Sequence, residues 1–185
     1  MSTTVINERE TKYFTSLVET YPDDPGLLLF LLMNFVTLEP GDFLYVSSGV
    51  THAYLRGNVV EITSNSDNVI RCGLTPKHVN AHEFLSIASF VSEQPEIQTP
   101  AESVHTYESP TPFTLTRINL NEELKATLHG PEILISTQNS FTITNKSENS
   151  FHVEQGHPVW VPYSDTSYKI TGNCLLFRCA TNPYF

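Results

Sequence analysis

Residues 40–55, PGDFLYVSSGVTHAYL, are the stretch whose reading decides the fold. Pro40-Gly41 marks a turn, and Phe43, Leu44, Tyr45 and Val46 follow as a short apolar strand. Ser47-Ser48-Gly49 then predicts a second turn, and His52 opens the next strand, where a small β-barrel presents a side chain at its mouth. Working outward, Val59, Val60, Glu61 and Ile62 return to the polar turn 64–68, and Val69-Ile70-Arg71 leads to Gly73-Leu74-Thr75-Pro76-Lys77. His52, Tyr54, Glu61, Asp67, Asn68, Arg71 and Lys77 thus gather within one short span, which is the candidate site.

The chain has 185 residues, enough for one large or two small cores. Hydrophobic content of 39% against 16% charged describes a globular protein. A net charge of -10 argues against a nucleic-acid surface, which needs clustered Lys and Arg. Arg56, Arg71 and Lys77 nonetheless outnumber Glu61 and Asp67 between positions 52 and 77. A locally basic mouth suits a small anion such as a phosphate ester, although scattered surface charge is an equal reading of composition alone. Cys72, Cys174 and Cys179 form no CxxC, and their odd number argues against a disulfide framework. No basic-then-apolar leader is visible, and the apolar run 27–36, broken by Asn34, is too short for a membrane span. A cytoplasmic protein with no membrane partner is expected.

Tyr13, Phe14, Leu17 and Val18 recur at helical spacing and predict a helix over 8–20, stopped by the Tyr21-Pro22 to Pro25-Gly26 loop. The segment 27–38 reads as a helix followed by a strand, and 80–90 as holding a short helix. Pro95, Pro100, Pro110 and Pro112 make 91–112 an extended connection. Short β-rich runs then recur at 113–118, 125–128, 132–137, 141–145, 152–153, 159–161, 168–170 and 174–179, the pattern of a sandwich or barrel.

Gly41, Gly49 and His52 resemble the second half-motif of the cupin barrels, with Ser47 where Pro is usual and Arg56 where Asn is usual. Gly156 opens a looser second copy with Pro162 in place, but Ser164 replaces its Gly and Ser167 its His. The expected fold is mainly β: two cupin-like jelly-roll modules, the first incomplete, with a few short helices. Residues 1–90 would form an incomplete catalytic-type module with a helical N-terminal segment. Residues 91–112 would be the linker and 113–185 a metal-free C-terminal jelly roll.

His52 is a candidate metal ligand; an imidazole satisfied by ordinary hydrogen bonds is the competing reading. A catalytic metal needs about three protein ligands, and positions 1–41 contain no His. Arg71 could stabilise charge on an enediol-like oxygen, or belong only to turn chemistry around Asp67-Asn68. Lys77 would add a second cation. Glu61 is either a base or an outward strand residue. His78 and His82 stand at helical spacing without a placed carboxylate and read as surface residues, while His105, His129, His152 and His157 carry no pattern.

The run His52-Ala53-Tyr54-Leu55-x-Gly57-x-Val59-Val60-Glu61, with Asn65-Ser66-Asp67-Asn68-Val69-Ile70-Arg71-x-Gly73-Leu74-Thr75-Pro76-Lys77, closely resembles the type I mannose-6-phosphate isomerases. Tyr21-Pro22-x-Asp24-x-Gly26 and Leu38-x-Pro40-Gly41 are similar to the preceding elements of that family. The likeness is clear over 13–90 and looser beyond. It implies a zinc enzyme interconverting mannose 6-phosphate and fructose 6-phosphate by proton transfer between C1 and C2 through a cis-enediol. By this match His52 is a zinc ligand, Arg71 the catalytic arginine, and Tyr54, Glu61, Asp67 and Lys77 line the substrate pocket. The family's Gln-x-His pair and zinc-binding Glu have no counterpart here, so the chain looks like a C-terminal portion with one of the zinc ligands. A module lacking strands is expected to expose apolar surface and unpaired edges. Cover would come from a complementing chain, from self-association into a homo-oligomer, or from rearrangement of residues 1–40. The alternative to an isomerase chain is a non-catalytic sugar-phosphate-binding or regulatory remnant.

Overall fold

The computed structural model describes residues 6–66 and 68–182, which fall into two units. The first is drawn from Met1–Thr37, Leu44–Val59 and Thr63–Glu96, the second from Leu38–Phe43, Val60–Ile62 and Ile97–Phe185.

In the first unit α1 spans Glu8–Thr20. Its start is a reciprocal capping box: the Asn7 side chain accepts from the Glu10 N–H at 2.9 Å, and the Asn7 N–H donates to Glu10 Oε2 at 3.0 Å. The Tyr21 N–H, bonded to the Leu17 carbonyl, closes the other end. α2 (Gly26–Leu32) packs on α1 through the Phe14–Phe30 ring pair, 5.7 Å between centroids. The strand expected after it is absent, and Tyr13 instead meets Phe35 at 5.5 Å. α3 (Ala81–Ile87) is N-capped by Asn80 and falls within the expected 80–90 helix.

Between Tyr45 and Asn80 the expected hairpins do not form ladders. Among the described residues of 40–80, β1 (Phe43–Leu44) pairs, in a two-stranded ribbon with β2 (Ile97–Gln98). The turns themselves are present. The Asp42 N–H bonds the Glu39 carbonyl, and Val50 bonds back to Ser47 with Gly49 at φ 84°. A side chain at Gly49 would also press on the Ile87 carbonyl at 3.0 Å. Turn chemistry is local and survives, whereas a strand exists only where a neighbour accepts its backbone groups. The first unit is correspondingly bare: Leu28, Leu32, Val69, Leu85, Phe90 and Val91 are all exposed, Leu32 at 83%.

The second unit carries the core. Its sheet runs in the order β3-β4-β9-β5-β8, with β6 on β9 and β7 on β6: β3 is Val104–Tyr107, β4 Phe113–Thr127, β5 Glu132–Gln138, β6 Phe141–Asn145, β7 Ser150–Val153, β8 Pro158–Val161 and β9 Ser167–Thr181. All described pairings in it are antiparallel. The 91–112 stretch, read as a linker, thus holds β2 and β3. β4 and β9 pair without slippage from Phe113↔Thr181 to Thr127↔Ser167, merging runs that the sequence presents as separate strands. Alternation sends Tyr168, Ile170, Cys174 and Leu176 of β9 inward to meet Ile118, Leu120, Leu134, Phe141 and Ile143. Each fully buried aliphatic or aromatic chain contributes about 1.5–3 kcal/mol, so this cluster dominates stability. Tyr107 stacks on Phe43 at 4.8 Å and its hydroxyl donates to the Gly41 carbonyl.

Candidate functional site

His52 is exposed, and its Nδ1 lies 2.9 Å from the Val50 carbonyl. A carbonyl only accepts, so this contact places a proton on Nδ1; in the neutral ring the lone pair is then on Nε2, the tautomer a metal-binding or proton-accepting imidazole uses. Tyr54 stands edge-on to the ring at 6.0 Å. This ring contact brings two of the sequence-derived site residues together. Arg71 is half-buried, and Lys77 is exposed with its backbone N–H 3.2 Å from Thr75 Oγ1. Among the described residues no hydrogen bond, ion pair or ring contact joins either cation to His52. Glu61 is exposed in the second unit, and Asp67 lies outside the described residues.

Asp24, which the sequence reading quotes in a motif without giving it a role, organises the segment after Arg71. Asp24 Oδ1 accepts from the Gly26 N–H at 2.7 Å, and Oδ2 from the Leu74 N–H at 2.9 Å. The carboxylate therefore ties the 21–26 loop to the Gly73-Leu74 corner. Leu74 adopts φ 52°, and a Cβ on Gly73 would fall 2.6 Å from Asp24 Oδ1, so only glycine admits this approach. The Cys72 thiol is pushed above its ordinary value by burial, an effect its own backbone opposes and the Asp24 charge reinforces. The Asp-Pro-Gly sequence signals the local turn at Gly26, but nothing local signals the bond to Leu74.

The second unit holds a separate ionisable cluster within its sheet. The Tyr168 hydroxyl donates to Glu132 Oε2 at 2.5 Å, both residues being buried. Burial, then the hydrogen bond to Glu132, drives the Tyr168 phenol far above its ordinary value, with Arg178 opposing. Arg178 Nε is buried without a partner among the described residues. The arrangement is a polar bridge between β5 and β9.

Zinc, which the resemblance implies, can be tested against the donor set. His52 is oriented to supply one nitrogen, but among the described residues no group of three or more His, Cys, Asp or Glu could hold a metal. The residues present do not by themselves fit a zinc centre. Among them, too, no helix is long and apolar enough to cross a membrane.

No protein-family model matches the chain. Curated proteins do match. The mannose-6-phosphate isomerase of Salmonella typhimurium is 31% identical over 167 residues, covering 86% of this chain and 42% of the relative. That of Rattus norvegicus is 28% identical over 178 residues, covering 88% of this chain and 42% of the relative. Among solved structures, the apo form of the Salmonella typhimurium enzyme superposes with a TM-score of 0.76 at 25% identity, covering 92% of this chain and 45% of that one. The form of that enzyme bound to substrate (f6p) and a zinc atom gives 0.73 at 23% identity, covering 97% of this chain and 52% of that one. Fold and match first define a mainly β, cupin-type protein. The chain is a homologue of the mannose-6-phosphate isomerases, matching their C-terminal portion. It spans less than half the length of these curated relatives.

Proposed function

We propose that this chain contributes one wall of a zinc-dependent aldose–ketose isomerase site acting on mannose 6-phosphate and fructose 6-phosphate, in the cytoplasm. Turnover then requires the remaining metal ligands, supplied from outside these 185 residues. The observation that carries the proposal is His52, its Nδ1 held by the Val50 carbonyl, inside a stretch similar to such enzymes. Among the solved Salmonella typhimurium structures are variants with a histidine and an arginine each replaced by alanine. Those two stand as many positions apart as His52 and Arg71 do here. Zinc is the group such a site would bind, and it would polarise the sugar's oxygens. On this chain Arg71 would neutralise negative charge developing on the enediolate oxygen, and Lys77 would offset the phosphate. Tyr54, Glu61 and Asp67 would orient the hydroxyls. A second reading is a sugar-phosphate-binding chain without turnover; among the described residues no group of three or more His, Cys, Asp or Glu stands where it could hold a metal, which favours it.

Zinc analysis with a coupled isomerisation assay tests the first reading, on the chain alone and with a polypeptide matching the rest of the relatives. Zinc uptake and turnover are expected only in the mixture, and both should collapse in His52→Ala. A mixture with neither, alongside fructose 6-phosphate binding that disappears in Arg71→Ala, would favour the second reading.

A further inference from the structure

The far half of β4 has an open edge. β3 covers β4 only from Leu115 to Ile118, and the Asn119 N–H makes a last bond to the Ser103 carbonyl. β4 continues to Thr127 in unbroken register with β9 on its other side. Alternation then fixes which groups face the gap: Asn121, Glu123, Lys125 and Thr127 share the parity of Asn119 and direct N–H and C=O outward. Among the described residues none of these four N–H groups has a backbone acceptor on that side. Their side chains are exposed, and a shallow groove of about 360 Å³, bordered by Ser103, Asn119, Asn121 and Glu122, lies where β3 stops.

An open edge ordinarily invites pairing, and charges upon it ordinarily prevent that. Here the charges discriminate between registers. Outward-facing residues of one strand must face outward-facing residues of the other, and the two-folds that engage at least three of these four residues pass through Glu123, Leu124 or Lys125. A two-fold at Glu123 sets carboxylate against carboxylate, and one at Lys125 sets ammonium against ammonium. A two-fold at Leu124 sets Glu123 opposite Lys125 of the second copy and Asn121 opposite Thr127. On the core side it sets Leu124 against its own counterpart, Leu120 against Leu128 and the exposed Glu122 against Ala126, so apolar contacts cross the junction on either side of Glu122. Opposite charges facing each other favour a cross-strand pair and like charges oppose it.

We propose that two copies of this chain join edge to edge through β4, antiparallel about Leu124, so that the sheet of one continues into the sheet of the other. The surface is isologous and needs no further partner. It is independent of His52 and Arg71.

Sedimentation equilibrium on the whole chain over a wide concentration range tests this. A monomer–dimer equilibrium is expected. Glu123→Lys should weaken it about tenfold, by facing Lys with Lys. Lys125→Glu should do likewise, and the double exchange E123K/K125E should recover most of the loss, since opposite signs again meet between the copies while the 3.7 Å contact of Glu123 with Lys169 inside each copy is given up. Asn121→Pro removes one outward donor and leaves the β9 side intact, so it should weaken the dimer without altering the circular dichroism of the monomer. A chain monomeric throughout would overturn the proposal. So would a dimer indifferent to both E123K and N121P, or an edge that pairs only with a complementing polypeptide.

Discussion

Removing the carboxylate of Asp24 should loosen the loop that follows Arg71. In Asp24→Ala the N–H groups of Gly26 and Leu74, held at 2.7 and 2.9 Å, lose their acceptor together. Hydrogen bonds to a charged group contribute about 1.5–3 kcal/mol each, and the half-buried setting places both at the lower end. The loss is about 3 kcal/mol of local stability, or roughly a hundredfold in the opening equilibrium. Asp24→Asn keeps one carbonyl oxygen and should lose about half as much. Amide hydrogen exchange reads this directly: the Leu74 N–H should exchange roughly a hundredfold faster in Asp24→Ala, while β9 amides stay protected. Alkylation of Cys72, resolved by peptide mass from Cys174 and Cys179, should also quicken, because burial and the Asp24 charge both hold its thiol above the usual value. Unchanged Leu74 protection in Asp24→Ala would refute the clamp.

Three further outcomes follow from the packing. The Tyr168 phenol ionises at higher pH folded than unfolded, so its stabilisation is whole below its ordinary value near 10.0 and fades as the pH climbs beyond it. Alkaline unfolding followed by circular dichroism should therefore begin above that value and lose part of its steepness in Tyr168→Phe. An identical alkaline profile in the variant would contradict this. Ile170→Ala empties a fully buried position in the β core and should cost about 2–5 kcal/mol in urea, where a loss under 1 kcal/mol would mean the core lies elsewhere. Asn7→Ala breaks the capping box and should cost α1 about 1 kcal/mol, seen as faster exchange in its first turn; no change there would show the cap to be idle.

What can be read from the chain without coordinates is what local chemistry controls. The spacing of Tyr13, Phe14, Leu17 and Val18 with Asn7 and Glu10 specifies α1, because caps and helical faces involve residues three or four apart. The turns at Gly41 and Gly49 are likewise legible, as is the inward alternation of Tyr168, Ile170, Cys174 and Leu176. Within the candidate site, the His52 to Val50 bond is of this kind, spanning two positions.

Tertiary structure alone decided the rest. Whether 45–79 forms strands depends on a partner edge, and pairing is a property of two segments rather than of one. The sequence therefore suggests hairpins there, and the structure leaves them without ladders. The same dependence works in reverse at β3, which lies in a Pro-rich stretch read as linker and becomes a strand because β4 accepts it. Asp24 finds Leu74 fifty positions away, and Tyr168 finds Glu132 thirty-six away, at distances no periodicity encodes. Side-chain identity and spacing settle the local conformations, but backbone pairing and buried polar contacts arise only once the chain has folded back upon itself.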